Sequence, residues 1–383
     1  MRHLRDMIHR NVMIVAGEAS GDLHGANLVR AMGRRTRSVE FCGIGGRALR
    51  AAGVDIFVDM ADLSVVGITE VLSKIGTILK GLSAAKERLA RLRPDLLILI
   101  DFPDFNLRLA AFARKLGIRV LYYVSPQIWA WRSGRVRTIK KRVDHMAVIL
   151  PFEQNFYHRH KIPVSFVGHP ILDEMQPEPS PDFEDRFDAG PVVGLLPGSR
   201  EGEVRKLLPV MLAAAEDLHL RHPDIRFLIS HAPSVARAQM DEILARHRGC
   251  ARYEVVPGGA EKVFEQCSFV IAASGTVTLE TAIAGIPMVI IYKVSPLSYR
   301  LGKALIRVSH ISLVNLIPGR GIVPELIQDD ASPENIAATV SEMLKDRSGL
   351  KDLRRELLGV RKLLGGPGAS DRVAGIAMNL LRA

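Results

Sequence analysis

Short, continuously apolar runs recur along the chain, each followed by a longer segment of helical period. NVMIVA at 11–16, DLLILI at 95–100, RVLYYV at 119–124, PVVGLL at 191–196, SFVIA at 268–272 and PMVIIY at 287–292 are the clearest. A strand with one face in water alternates apolar and polar residues. A run that is apolar throughout suits a parallel strand covered by helices on both sides. Runs at 39–42, 145–150, 164–167, 225–230 and 252–256 extend the pattern, and strand–helix alternation on this scale predicts a doubly wound α/β protein. At 383 residues the chain is too long for one core. Between the two sets of runs lies MQPEPSPDFEDRFDAGP, 175–191, rich in proline and acid and without period. Two α/β domains joined near residue 180, with a cleft between them, are therefore expected. The stretch 268–292 is long enough to span a membrane, but Glu280 would sit near its centre and Gly285 and Pro287 break it. It is predicted to be strand, turn, helix and strand.

Composition narrows the chemistry. Lys and Arg number 52 against 41 Asp and Glu, a net charge of +11 that favours an anionic partner: nucleic acid, acidic lipid or phosphorylated substrate. Cys42, Cys250 and Cys267 stand far apart, which fits a reducing compartment and argues against a zinc site or a disulfide framework. The basic N-terminus runs into an apolar stretch that meets Glu18 too soon for a signal peptide. WAWRSGRVRTIKKR, 129–142, mixes tryptophans with basic residues, but no nucleic-acid-binding module surrounds it, and no nucleic-acid partner is expected. GIGGRA, 43–48, matches a dinucleotide fingerprint. It follows the second predicted strand and lacks the acidic strand end that such a site needs, so no nicotinamide cofactor is expected.

Ligands of such folds collect at the carboxyl ends of parallel strands, and four polar clusters stand there. AGEASGDLHG, 16–25, places Glu18, Ser20, Asp22 and His24 among three glycines. Ser20 or Asp22 could cap a helix starting near Leu23, which leaves the remaining polar groups to a site. LLPGSREGEV, 195–204, ends a strand in Gly198, Ser199 and Arg200 before a helix, where backbone N–H groups and a guanidinium favour an anion. AASGTVTLETAIAGIP, 272–287, repeats the arrangement with Ser274, Gly275 and Thr276. Glu280, about one turn into an otherwise apolar helix, suits the vicinal hydroxyls of a ribose. In DFPDFN, 101–106, Asp104 or Asn106 is expected to cap a helix beginning near Leu107. Asp101 then remains for acid–base work.

With these clusters placed, AGEASGDLHGA, DFPDFNLRLA, YYVSPQIWAWR, LLPGSREGEV, SGTVTLE and SLVNLIPGR follow one another in an order that resembles the lipid-A-disaccharide synthase family. The resemblance implies a GT-B architecture, two doubly wound Rossmann-like domains facing a cleft. The boundaries that go with it are an acceptor-side domain at 1–174, a linker at 175–190 and a nucleotide-sugar-binding domain at 191–364. A C-terminal helix at 365–383 is expected to pack back on the first domain. The implied reaction moves a 2,3-diacylglucosamine from its UDP donor to 2,3-diacylglucosamine 1-phosphate with inversion. The products are a β-1,6-linked disaccharide phosphate and UDP. Carried onto this chain, Asp101 is the base. Arg200, with Gly198 and Ser199, and the Ser274–Gly275–Thr276 turn hold the diphosphate, Glu280 the ribose and Asn315 the donor region. Glu18, Ser20 and Asp22 line the acceptor side. No cofactor is expected, and no metal, since no Asp-x-Asp pair stands in the clusters. A nucleotide-sugar epimerase of the same architecture is the alternative. The stretch 63–93 carries Val66, Val71, Ile75, Ile78 and Leu82 at near-helical spacing with Lys74, Lys80 and Lys86. Such a face is core in most proteins. Acylated substrates favour its docking on an anionic inner-membrane surface, by a cytoplasmic protein attached peripherally to the inner face.

Overall fold

The computed structural model describes residues 9–63, 68–131, 133–175, 183, 185–188, 190–247, 249–295, 299–300 and 308–382, and only the backbone of 68–74, 133, 185 and 188. The chain forms two compact units, Met1–Glu174 with Leu364–Ala383, and Met175–Leu363. The first holds a parallel sheet of β1 (Arg10–Ala16), β2 (Val39–Gly45), β3 (Asp55–Asp59), β4 (Leu96–Ile100), β5 (Arg119–Tyr123), β6 (His145–Val148) and β7 (Val164–Phe166). Their spatial order is β3-β2-β1-β4-β5-β6-β7. The second holds β8 (Val192–Leu196), β9 (Arg226–His231), β10 (Tyr253–Pro257), β11 (Phe269–Ala273), β12 (Met288–Tyr292) and β13 (Glu325–Ile327). These lie in the order β10-β9-β8-β11-β12-β13, again all parallel.

The helices that bear on the site are α1 (Ala19–Arg35), α2 (Arg47–Ala51), α3 (Ile68–Leu92), α4 (Pro103–Lys115), α5 (Glu201–Arg221), α6 (Thr276–Ala284) and α7 (Ala369–Arg382). The continuous apolar runs have the expected cause. Met13, Val15, Leu97 and Leu99 enter a core on one face of the first sheet. Their neighbours Val12, Ile14, Ile98 and Ile100 enter a second core on the other face, which α7 completes with Val373, Ala374 and Ala377. The segment 268–292 folds as β11, α6 and β12. Among the described residues no helix is long and apolar enough to cross a membrane.

Two strands were not foreseen. β3, DIFVD, lies at a sheet edge, where one acidic end is exposed, and β13 has three residues. Neither offers a long apolar run, so periodicity passes over both. A second correction concerns α3. Leu82 is buried with Ala85 and Leu89 in the first core, and Ile78 packs against it, whereas Ile75 and Leu79 are exposed. Val66 and the side chains of Val71 and Lys74 lie outside the described residues.

The chain returns to the first unit at Leu364, whose carbonyl accepts from His169 N at 2.9 Å. Asp173 then serves the N-terminus of α7, accepting from Gly368 N at 2.5 Å, Ala369 N at 3.3 Å and Ser370 N at 3.2 Å. These donors have no intrahelical partner, so a carboxylate there does the work of a cap. Asp173→Ala is expected to lower the unfolding free energy by about 1–2 kcal/mol, read as an earlier urea midpoint at unchanged slope.

Candidate active site

Strand order reverses between β1 and β4, so their connections leave in opposite directions and open a crevice at their carboxyl ends. Gly17 directly follows β1, and a Cβ there would lie 2.3 Å from the Phe102 ring. Only a glycine lets the loop after β4 close over it. Helix α1 begins at Ala19, four residues before Leu23, with Glu18 as an N-cap whose side chain makes no cap bond. Glu18 and Ser20 are exposed at the mouth. Asp22 turns inward instead. It is 3% exposed and accepts from Gly46 N at 2.6 Å, Ala48 N at 2.8 Å and Leu49 N at 3.3 Å, at the start of α2. The expectation that Asp22 lines the acceptor side, or caps its own helix, is corrected: its oxygens hold a neighbouring helix.

Asp101 and Phe102 leave β4 with φ of +46° and +48°, consecutive left-handed residues that are not glycine. Such backbone costs about 1–3 kcal/mol per residue unless its surroundings enforce it. Here they do. The Asp101 carbonyl accepts from Tyr122 Oη at 2.5 Å and from Asn106 Nδ2 at 2.7 Å, and Asn106, fully buried, also donates to the Ile100 carbonyl at 3.2 Å. Helix α4 starts at Pro103 behind Phe102, so neither Asp104 nor Asn106 caps it. Asp104 instead pairs with Arg135. Burial, and next the charge of Glu18, push the Asp101 carboxyl up to about 6, against the opposing pull of the Phe102 N–H and His24.

His24 belongs to this crevice although its residue type alone did not assign it a task. Its side chain is 13% exposed, and Nδ1 lies 3.6 Å from Glu174 Oε1. Nearby His169 is held neutral, because burial and then the charge of His24 bring it down to about 3. Its Nδ1 accepts from Ile171 N at 3.2 Å.

The second unit repeats the topology, with the reversal between β8 and β11. A crevice of about 330 Å³ opens there, lined among others by Gly198, Ser199, Arg200, Glu203, the Ser274–Gly275–Thr276 turn and Glu280. Gly198 has φ +110°, a conformation that carries the chain into α5. Two helix N-termini, of α5 and α6, thus meet one guanidinium, an arrangement suited to a diphosphate. Tyr292, at the end of β12, is a further group here, its hydroxyl pushed up by burial and by the charge of Glu203. Asn315 departs from expectation. It is 1% exposed; its Oδ1 accepts from Ile322 N at 2.8 Å and Val323 N at 3.0 Å, and its Nδ2 donates to Val323 O and Glu325 Oε1, both at 2.9 Å. The side chain shapes the turn before β13 and has no donor left for a ligand. Among the described residues, no three His, Cys, Asp or Glu side chains are placed to hold a metal ion.

The family model described as lipid-A-disaccharide synthetase matches residues 12–362. The chain belongs to that family. The lipid-A-disaccharide synthase of Geobacter sulfurreducens is 50% identical over 377 residues, covering 97% of both chains. That of Syntrophus aciditrophicus is 48% identical over 376 residues, covering 97% of this chain and 98% of its own. Solved structures give the fold. The UDP-GlcNAc 2-epimerase from Neisseria meningitidis bound to UDP-GlcNAc superposes with a TM-score of 0.61 at 12% identity, over 96% of this chain and all of that one. A calicheamicin glycosyltransferase matches at a TM-score of 0.61 and 16% identity over 98% and 99%. Both doubly wound units thus follow the GT-B pattern, and at these identities the epimerase likeness is one of fold alone.

Asp101 also couples folding to pH. Its carboxyl titrates near 6 in the folded chain against 3.8 ordinarily, so the folded state favours the neutral form. The stability this contributes is present at acid pH and is lost as pH rises through about 6. Asp101→Asn keeps a residue that tolerates left-handed backbone and removes the ionised group. Its melting temperature is expected to exceed that of the unsubstituted protein by a few degrees at pH 7–8, with the gap closing toward pH 4, as followed by thermal denaturation across pH.

Proposed function

We propose that the chain is an inverting glycosyltransferase that joins UDP-2,3-diacylglucosamine to 2,3-diacylglucosamine 1-phosphate through a β-1,6 bond, releasing UDP. The observation that carries the mechanism is Asp101: a carboxylate raised to about 6, on pinned backbone at the switch point of the first unit. Above that pH it is ionised and basic enough to take the proton of the acceptor 6-hydroxyl as the oxygen attacks the anomeric carbon. The bond from that carbon to the diphosphate breaks, and its electron pair leaves with UDP. Arg200 and the N–H groups of the Gly198–Ser199 and Ser274–Thr276 turns meet the charge that grows there, and Glu280 takes the ribose hydroxyls. Glu18 and Ser20, exposed at the first mouth, receive the acceptor. No metal enters this reading. Mass identification of a disaccharide phosphate after incubation with both acylated sugars is the direct test, and UDP release without acceptor would point to an epimerase instead.

Asp101→Ala is expected to lower kcat by about 10²–10⁴ with UDP affinity unchanged. In the unsubstituted enzyme kcat/KM should fall on an acid limb near pH 6 that Asp101→Ala abolishes, and a limb that persists in Asp101→Ala would remove Asp101 from the role of base.

The acylated substrates supply a reason for membrane contact. We infer that the chain works in the cytoplasm, peripherally on the anionic inner face of the inner membrane, with Ile75 and Leu79 of α3 turned toward lipid. Both are large, apolar and exposed, at 42% and 49%, and Lys80 stands beside them, worth about 1 kcal/mol of attraction at an anionic surface. Ile75→Ser with Leu79→Ser is expected to abolish co-sedimentation with anionic vesicles at unchanged melting temperature. Leu82→Ser, in the core, should instead lower the melting temperature.

A further inference from the structure

The crevice of the second unit contains a group that opposes the ligand just assigned to it. Arg200 Nη1 lies 3.2 Å from Glu203 Oε1. Glu203 is also in the first turn of α5, where a carboxylate already faces the positive end of the helix. The backbone crosses directly above: a Cβ on Gly198 would lie 2.5 Å from Glu203 Oε2. One carboxylate therefore meets two of the elements suited to a diphosphate, the guanidinium and the α5 N-terminus. Among the described lining residues Arg200 is the one cation, against Glu203 and Glu280. The crevice is thus not built for maximal anion affinity.

We propose that Glu203 is an internal competitor of the donor diphosphate, exchanged for it at Arg200, and that it sets how tightly UDP is held and how readily it leaves. The proposal rests on the reading of this crevice as the donor site. A partly exposed pair, with side chains 67% and 36% accessible, is weak enough to be displaced. The carboxylate that loses the guanidinium then stays beside the bound phosphates, where like charges repel. That repulsion is larger for a diphosphate than for a monophosphate.

Titration calorimetry of UDP and UMP against the full chain, at low and high salt, tests this. UDP binding by the unsubstituted protein tests the donor site itself, and its absence would end that reading whatever Glu203 does. Given binding, Glu203→Gln is expected to lower the Kd of UDP roughly five- to tenfold, with a smaller gain for UMP. The gain should shrink as salt rises. Glu203→Asp keeps the charge at the helix but shortens its reach toward Arg200, and should fall between the two while guarding against a folding defect in the glutamine variant. An unchanged Kd with a lowered melting temperature would make Glu203 a helix-end residue only. A weakened Kd would show that it orients Arg200 for the ligand. Either result overturns the proposal.

Discussion

Each unit depends on one constraint: its first strand is hydrogen-bonded on both sides. β1 pairs with β2 and β4, and β8 with β9 and β11. Right-handed crossovers then carry the chain to one side before the first strand and to the other after it, so helices must cover both faces. Two consequences follow together. Every residue of a central strand such as LLILI is buried, and the connections part at the strand ends. The core and the crevice are thus two results of the same hydrogen-bonding pattern.

The scaffold carries its unfavourable local states at the carboxyl ends of the first sheet. The left-handed pair Asp101–Phe102 and the neighbouring Val124, with φ +61°, stand at the ends of adjacent strands. Nearby lies a second enforced network: fully buried Glu153 takes Trp129 Nε1 at 3.0 Å and Leu150 N at 3.1 Å, and burial lifts its carboxyl to about 7. Beside it Ser125 and Tyr157 share a hydrogen bond of 2.7 Å. These contacts fix the loop after β5, alongside the loop that bears Asp101. Burial that raises the basicity of Asp101 also weakens the fold near neutral pH.

Much of this was legible in the sequence because it depends on local pattern. Runs apolar on both faces gave the parallel sheets, and glycine-flanked turns marked where strands end and helices begin. What was not legible depends on partners distant along the chain. Asp22 finds its N–H donors some 24 residues away, and Asn315 is consumed by a turn that closes only in three dimensions, so each resembles a ligand when read as a residue type. Asp101 was singled out because Asp104 and Asn106 were expected to be caps. The helix in fact starts earlier, at proline, whose fixed φ suits a first turn, and Asn106 supports the Asp101 carbonyl from inside. Positive φ at Asp-Phe leaves no trace in residue identity.

The link between Asp173 and Gly368 spans 195 positions, and this has a consequence for the order of assembly. On the ribosome the strands of the first sheet emerge long before Val373, Ala374 and Ala377, which leaves one of its cores open while the whole second unit is made. The second unit is a continuous segment and has every contact it needs before then. Domains generally fold as they emerge, but here the earlier-synthesised unit is the later one to close. Until α7 docks, the apolar face formed by Leu28, Met32 and Ile98 is a surface that a nascent chain must keep from aggregation.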